Sequence, residues 1–200
     1  MRVRFATLAI GWVLGLLWSL PAGAAPGTLK PVKGAVVAGD FIAQDMQGKP
    51  VRFSEQRRNK VVLLNFWATW CPPCRKEMPA MEQLYRAYKD RGLIVLAVSQ
   101  DQAPLATVRG FAEELKLSFP VWHDRDRLVG RQYSVPGVPT SYLIGADGRI
   151  AYKVLGEYDW FSPEARAAVE ALLADVQGRA SAAGGRTPGA AAPEKQNDKR

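Results

Sequence analysis

The sequence VVLLNFWATWCPPC, residues 61–74, sets two cysteines directly behind an apolar run. Residues 61–67 show no apolar–polar alternation, and residues 93–98, LIVLAV, form a second run of the same kind. Such runs are typical of central parallel strands that are covered on both faces. Between them, apolar residues at three- and four-residue steps predict an amphipathic helix: Met78, Met81, Leu84, Tyr85 and Tyr88. Gly92 suits the left-handed end of that helix, so residues 61–98 predict a right-handed βαβ unit.

Downstream of this unit, the pattern predicts an inserted helix and strand followed by a hairpin. Residues 104–117 place apolar side chains on one helical face, and residues 119–122 follow as a short strand. Residues 141–145 and 150–155 then flank Asp147-Gly148, which is a strong hairpin signal.

Two further elements complete the predicted fold. Ser162-Pro163-Glu164 opens a final helix, and residues 36–42 with residues 51–53 predict a hairpin near the start of the domain. This order predicts an α/β protein with the thioredoxin fold. The expected architecture is a central mixed β-sheet with helices on both faces, plus an N-terminal β-hairpin and an inserted αβ unit.

The N-terminus has the composition of an export segment. Arg2 and Arg4 precede an apolar run over residues 5–20, and small residues occupy positions 22–25. Residues 1–24 therefore predict either a cleaved signal peptide or an uncleaved membrane anchor, in which case residues 5–25 span the bilayer. Both alternatives place the domain outside the cytoplasm, in the periplasm.

Composition divides the rest of the chain into a linker, a domain and a tail. Residues 25–33 are rich in Pro, Gly and Ala and predict a linker, and residues 34–177 predict one thioredoxin-like domain. Residues 178–200 lack an apolar period and predict a disordered tail. Residues 1–24 carry +2, and the tail carries five basic and two acidic residues, which leaves only +3 of the net +8 for the domain. A basic stripe is missing, so the sequence does not indicate nucleic-acid binding.

Cys71-Pro72-Pro73-Cys74 lies where the predicted strand gives way to the predicted helix. Unpaired backbone N–H groups and the helix dipole favour a thiolate on an exposed cysteine at this position, so Cys71 is the predicted nucleophile and Cys74 the resolving thiol. Pro72 and Pro73 have no N–H, so fewer donors reach the Cys71 sulfur. This predicts a reducing potential nearer about −270 mV than about −120 mV.

Simpler roles for the two cysteines fit less well. A structural disulfide that closes so short a loop would restrict the unfolded chain very little. A closed zinc site needs four ligands, whereas the chain offers two cysteines and one histidine. Two merely buried thiols remain as the third alternative.

At this point the sequence resembles a known family. NFWATWCPPCRKEMP, residues 65–79, together with Gly137-Val138-Pro139-Thr140, is similar to the membrane-tethered TlpA/ResA branch of thioredoxin-like thiol–disulfide oxidoreductases. The resemblance covers about residues 35 to 176. It implies a protein-disulfide reductase with no cofactor beyond the redox-active pair Cys71–Cys74.

The resemblance also implies partners and substrate contacts. A membrane thiol electron donor would reduce the protein, and the clients would be exported proteins with cysteines, commonly apocytochrome c or copper-centre assembly factors. The proline matching Pro139 is cis in the family and lies against the dithiol, and the residue before it, Val138, presents its backbone to the client. The expected client contacts are Trp70, Pro72, Pro73, Val138, Pro139 and Thr140.

A glutamate on the motif helix is the candidate acid–base group. Asn65 occupies the position at which plain thioredoxin keeps a buried aspartate, and an amide cannot exchange protons near neutral pH. Glu77 stands three residues after Cys74 on the same helix face and matches the active-site acid of this branch. Burial would raise the pKa of Glu77, whereas an exposed Glu77 would only complement the helix dipole.

Several other functions compete with the reductase. A dithiol oxidase or isomerase would have a higher reduction potential, and a copper(I) carrier would use the cysteine pair as soft ligands. A peroxiredoxin fits less well, because two prolines and a resolving cysteine follow Cys71 directly, and a non-catalytic interaction domain would need neither cysteine. His123, the only histidine, is expected in a loop after the short strand.

Overall fold

The structure, a computed structural model, describes residues 26–184 and the side chains of residues 26–178. Its centre is an eight-stranded mixed sheet with the strand order β1-β8-β7-β4-β5-β6-β2-β3. The strands are β1 (Lys30–Pro31), β2 (Ile42–Asp45), β3 (Pro50–Arg52), β4 (Val61–Trp67), β5 (Leu93–Ser99), β6 (Val121–His123), β7 (Thr140–Ile144) and β8 (Ile150–Leu155). The helices are α1 (Phe53–Gln56), α2 (Pro72–Tyr88), α3 (Leu105–Glu114), α4 (Leu128–Gln132) and α5 (Pro163–Gly184).

The predicted βαβ unit forms the middle of the sheet. β4 and β5 pair in parallel over their full lengths, and every residue of both strands is buried. α2 connects them and passes through a short 3-10 turn to Gly92, whose φ of 105° is the predicted left-handed end. The predictions for this unit are confirmed because apolar residues on both faces of a strand require cover on both sides.

Alternate residues of the central strands enter two different cores. Val61 and Leu63 pack with α2, α3 and α5 on one face of the sheet. Val62 and Leu64 pack on the other face with Phe53 of α1 and with residues of α4. The α/β class and the thioredoxin fold with helices on both faces are confirmed, and α3 with β6 forms the inserted αβ unit.

The N-terminal region departs from the predicted boundaries. The predicted linker is wrong in part, because Lys30 and Pro31 pair with β8 and close one edge of the sheet. The hairpin is present, but its first strand is β2 and not residues 36–42. Residues 36–41 instead form no strand and contribute only an isolated bridge between Val37 and Arg149. A two-residue edge strand that contains proline leaves no periodic signal, so this pairing is not evident from sequence.

Two other elements have bounds that differ from the prediction, and one further helix was not predicted. α3 begins at Leu105 and ends at Glu114, inside the predicted range 104–117. The short strand β6 occupies residues 121–123 instead of 119–122. α4 was not predicted, because its N-cap residue Arg127 has no side-chain oxygen to accept a capping hydrogen bond and Gly130 weakens its centre.

The C-terminal helix is longer than the predicted domain. α5 continues to Gly184, so residues 178–184 are helical and not part of a disordered tail. Gly178 alone does not end the helix, because alanine and arginine follow it. The rest of the predicted tail, and the predicted signal or anchor over residues 1–24, lie outside the described residues. Between residues 26 and 184, no helix has the length and hydropathy to cross a membrane.

Candidate active site

Cys71 is the N-cap residue of α2, four positions after the end of β4. Its backbone is extended, with φ −99° and ψ 101°, and its Sγ accepts a 3.3 Å hydrogen bond from the Cys74 N–H. Pro72 and Pro73 occupy the first two helical positions and carry no N–H. Among the hydrogen bonds of the described residues, the Cys74 amide is therefore the one donor to this sulfur, as the motif predicted.

Cys71 and Cys74 form a disulfide, with their Cα atoms 5.3 Å apart. Cys71 is 3% exposed and Cys74 is fully buried, so the expectation of an exposed nucleophile is wrong for this oxidised form. Both cysteines belong to the core cluster that includes Met78 and Trp67. A partner must therefore approach Cys71 closely from the rim, and Cys74 has no direct access to water.

Glu77 is a buried carboxyl on the same helix, 2% exposed. Its Oε1 accepts a 2.8 Å hydrogen bond from Asn65 Nδ2, and its Oε2 accepts one of 3.2 Å from the Tyr158 N–H. Burial raises the pKa of Glu77 from its ordinary value of 4.5 to about 8, although both of these donors lower the pKa and limit the rise. The carboxyl thus titrates in the range where a thiol exchanges protons.

Two neighbours of Glu77 on the β8–α5 connection act on its charge in opposite directions. The carboxylate of Glu157 raises the pKa of Glu77 further, and Glu157 is itself paired with Lys76 at 2.6 Å. The indole N–H of Trp160 lowers the pKa, yet Trp160 Nε1 is buried and makes no direct hydrogen bond.

Asn65 connects the acid to the centre of the sheet. Its Nδ2 donates both to Glu77 and, at 2.9 Å, to Ser141 Oγ on β7, while its Oδ1 is buried without a partner. The sequence pointed to Asn65 only as a residue that cannot exchange protons. In the structure, Asn65 donates a hydrogen bond to Glu77, which is the residue that can exchange protons.

The loop before β7 lies on the other side of the dithiol. The Val138–Pro139 peptide bond is cis, as the resemblance implied. Val138 packs against the core cluster that contains both cysteines. Pro139 and Thr140 are buried, and Thr140 Oγ1 donates a 2.7 Å hydrogen bond to the Gly137 carbonyl. Val138 is half-buried and lies between the exposed Gly137 and the buried Pro139.

The rim of the site is apolar and partly open. Trp70 is 61% exposed, Pro72 is exposed, and Pro73 is half-buried. These three residues surround the Cys71 position in sequence and form its accessible border. The structure thus gathers all nine predicted site residues at the carboxyl end of β4 and the start of β7.

A buried carboxylate that was not predicted supports the loop before Cys71. Asp101 is 1% exposed and accepts hydrogen bonds from Thr69 N at 2.9 Å and Thr69 Oγ1 at 2.7 Å. Ser99 Oγ donates to the same carboxylate at 2.7 Å. The available signal was Ser-Gln-Asp directly after the apolar strand β5, at the sheet edge where polar site residues collect.

His123 lies in β6 and is 3% exposed, so the prediction of a loop histidine is wrong. Its Nε2 is 2.8 Å from the carbonyl oxygen of Asp101. The alternation of β6 brings this ring into the interior, where it supports the same carboxyl-end loop.

Comparison with known proteins agrees with this geometry. Residues 35–153 match the AhpC/TSA family. A thiol-disulfide oxidoreductase ResA of Bacillus cereus is 41% identical over 120 residues, which cover 60% of this chain and 68% of the relative. The ResA of Geobacillus kaustophilus is 42% identical over 119 residues, with coverage of 60% and 67%.

Solved structures show the same relationship. The thiol:disulfide interchange protein, thioredoxin family protein, from Chlorobium tepidum TLS superposes with a TM-score of 0.61 at 28% identity, and the match covers 70% of this chain and 97% of that one. The sequence motif, the fold and the dithiol geometry therefore agree with one another. The chain belongs to the AhpC/TSA family of thioredoxin-fold proteins, in its ResA-like branch of thiol–disulfide oxidoreductases.

Proposed function

We propose that this protein is an extracytoplasmic protein-disulfide reductase that reduces disulfides in exported clients. One observation carries the proposal: a nucleophile position at a helix start lies one helical turn before a buried thiol and two turns before a buried carboxyl, Glu77. This order supplies a group for attack, a group for resolution and a group for proton transfer.

The first step joins the client to the enzyme. In the reduced protein, the Cys71 thiolate attacks one sulfur of a client disulfide, and a Cys71–client disulfide forms while the client S–S bond breaks. The second client sulfur leaves as a thiolate and takes up a proton. The helix start favours the Cys71 thiolate, because the helix dipole and the Cys74 N–H both point at its sulfur.

The second step releases the client. Cys74 loses its proton and attacks Cys71 Sγ, which re-forms the Cys71–Cys74 disulfide and expels the first client sulfur as a thiolate. Two electrons have then passed from the dithiol to the client, which leaves with two reduced cysteines. Because Cys74 is fully buried, a base inside the protein must take its proton.

Glu77 is the base that the geometry supports. It stands three residues after Cys74 on α2, so the two side chains share one face of the helix. Its pKa of about 8 is close to that of a thiol, so near neutral pH the fraction of Glu77 that is ionised can accept the Cys74 proton. The protonated carboxyl can then return this proton to the departing client thiolate.

The rim residues would hold the client. Trp70 offers an exposed indole face, and Pro72 and Pro73 border the Cys71 sulfur. Across the site, Val138 would present its backbone to an extended client segment, with Pro139 and Thr140 shaping the loop. Such main-chain pairing leaves client choice to a few side-chain contacts.

Location and partners follow from the N-terminal sequence and the ResA resemblance. An export segment over residues 1–24 would place the domain in the periplasm, either free after cleavage or held at the inner membrane. A membrane thiol protein would re-reduce the disulfide. The clients would be exported cysteine proteins of the apocytochrome c or copper-centre assembly type.

The decisive experiment combines trapping with a redox titration. Cys74→Ser should accumulate a mixed disulfide between Cys71 and an exported client, whereas Cys71→Ser should accumulate none. A glutathione-buffered titration should give a potential near about −270 mV. A reduction potential above about −180 mV would indicate an oxidase or isomerase instead of a reductase.

Two further measurements separate the remaining functions. Tight copper(I) binding without insulin reduction would indicate a copper carrier, and rapid peroxide turnover would indicate a peroxidase. Retention of the cellular phenotype in the Cys71→Ser, Cys74→Ser double variant would indicate a non-catalytic interaction domain.

A further inference from the structure

The first described residues lie at the end of the sheet that carries the dithiol, which is the end at which β4 and β8 finish. The Gly27 N–H donates a 2.6 Å hydrogen bond to the Glu157 carbonyl, just after β8 ends. From there the chain runs antiparallel to β8, away from this edge, with Lys30 opposite Lys153. Pro26, the first described residue, therefore lies beside the carboxyl end of β8.

Strand register places that end level with the dithiol. Leu155 of β8 pairs with Thr140 of β7, and Thr140 pairs with Phe66 near the end of β4. The Gly156 N–H also donates a 2.9 Å hydrogen bond to the Pro139 carbonyl. Three strand spacings separate β1 from β4, so the entry point is about 14 Å across the sheet from Cys71.

The connection to the N-terminal apolar run is short. Gly27 is fixed to β8, and the apolar run of the sequence ends at Leu20. The six residues 21–26 that lie between them reach at most about 20 Å when fully extended. Because β1 occupies part of the predicted linker, no long spacer separates the domain from an anchor at residues 5–20.

The surface at this side of the sheet suits a phospholipid membrane. Trp70, three residues after the end of β4, and Leu155, the last residue of β8, are exposed by 61% and 50%. Lys30 and Lys153 lie directly opposite each other on the edge pair β1–β8, where two like charges repel. An anionic lipid surface nearby would attract each of these basic residues by about 1 kcal/mol.

We propose that, when residues 5–20 are held in a bilayer, the edge of the sheet that carries Cys71 faces the bilayer surface. This inference rests on the uncleaved-anchor form of the proposed function. The reductant that reaches Cys71 is then a dithiol protein embedded in the same membrane. It passes two electrons and two protons to the Cys71–Cys74 disulfide and becomes a disulfide itself, while clients enter the gap from the side.

The test measures which edge of the domain lies near lipid. The full chain is reconstituted in vesicles of phosphatidylethanolamine and phosphatidylglycerol that carry an energy-transfer acceptor on the lipid headgroup. A donor dye is attached through an azide-bearing amino acid at position 155 or at position 60. Lys60 is the matched control because it is exposed and precedes β4, at the opposite edge about 20 Å away.

We expect transfer from position 155 to exceed transfer from position 60 several-fold. Thirty Gly/Ser residues inserted between Ala25 and Pro26 should make the two efficiencies equal. Equal transfer in the unmodified chain, greater transfer from position 60, or an asymmetry that survives the spacer would each overturn the proposed orientation. Loss of the chain from the vesicles through cleavage would overturn it as well.

Insulin reduction by the same vesicles keeps the two proposals separate. A chain that reduces insulin but shows no asymmetry retains its reductase function and loses only the proposed orientation. A chain that shows the asymmetry but fails to reduce insulin retains the orientation and loses the reductase function.

Discussion

The Asn65 amide donates a 2.8 Å hydrogen bond to the Glu77 carboxyl, linking the central strand β4 to the helix that carries both cysteines. The Tyr158 N–H holds the second carboxyl oxygen from the β8–α5 connection. Glu77 is thus held from two directions inside a core that disfavours its charge. Burial dominates this balance, so the carboxyl keeps its proton well above the usual pH.

The first prediction concerns the pH dependence of stability. The native protein keeps the Glu77 proton up to about pH 8, whereas the unfolded chain loses it near the ordinary value of 4.5. Between these values the native state binds more protons, so stability falls as pH rises. In the oxidised protein, Glu77→Gln should remove this fall, which amounts to about a few kcal/mol between pH 5 and pH 8.

Urea unfolding of the oxidised proteins at several pH values measures this difference. Glu82→Gln is the matched control, because Glu82 lies on the same helix and hydrogen bonds from Ser118 and Arg86 lower its pKa despite partial burial. The control should keep the slope of the wild-type protein. Parallel slopes for wild type and Glu77→Gln would show that Glu77 is not protonated in the native state.

The second prediction concerns Asn65. Asn65→Leu removes a donor that stabilises the charged Glu77 carboxyl, so the pKa of Glu77 should rise above about 8. A hydrogen bond to a charged group contributes about 1.5–3 kcal/mol, which corresponds to a shift of about one to two pH units. Infrared titration of the protonated carboxyl band, assigned by its absence in Glu77→Gln, measures the shift. A band that titrates at lower pH in Asn65→Leu would contradict the assigned role.

The central fold could be predicted because its signals are local and strong. Continuous apolar runs identify β4 and β5, and Asp147-Gly148 identifies the turn between β7 and β8. The edges of the sheet could not be predicted in the same way. Lys30 and Pro31 become a strand only because β8 offers unpaired backbone groups, and α4 has neither a capping residue nor a clear apolar period.

The candidate site also has a part that local sequence predicts and a part that depends on distant residues. Cys74 and Glu77 lie three residues apart on one helix, so their spacing alone predicts their shared face. The contacts that hold them come from distant parts of the chain: Asn65 donates from β4, and the Tyr158 backbone amide donates from the β8–α5 connection. A backbone donor has no side-chain signature, and the buried Oδ1 of Asn65 shows that the sequence does not reveal which polar atoms remain unpaired.

The third prediction tests the support of the Cys71 loop. Thr69→Val removes the 2.7 Å hydrogen bond from the Thr69 hydroxyl to the buried Asp101 carboxylate. The Thr69 N–H and the Ser99 hydroxyl remain as donors to this carboxylate. The oxidised protein should lose about 1.5–3 kcal/mol of unfolding free energy. Thr107→Val is the control, because the Thr107 side chain is exposed on α3. This variant should change stability by less than about 0.5 kcal/mol. Equal effects of the two variants in denaturant melts would show that the hydrogen bond from the Thr69 hydroxyl to Asp101 does not stabilise the loop before Cys71.

The fourth prediction separates client contact from stability. Trp70 and Val37 are both 61% exposed, but Trp70 borders the dithiol and Val37 lies near the opposite edge of the sheet. Trp70→Ala should lower kcat/KM for reduction of a client disulfide about tenfold, since truncation of a tryptophan that the bound client covers costs about 1–2 kcal/mol. Val37→Ala should leave this ratio unchanged, and both variants should unfold at the wild-type denaturant concentration. A similar loss of kcat/KM in both would place client recognition outside the rim.

The last prediction concerns release of the client. Cys74 is fully buried, so its proton leaves through a protein group, and Glu77 is the titratable residue one turn along the same helix. Glu77→Gln should slow resolution of the mixed disulfide by about 10²-fold or more while leaving the first attack by Cys71 nearly unchanged. Quenched-flow alkylation with a disulfide-bonded peptide resolves the two steps, and the mixed disulfide should accumulate in Glu77→Gln but not in Glu82→Gln. A slow first step with fast resolution would instead assign Glu77 to the activation of Cys71, because the proton would then be taken before the client is bound.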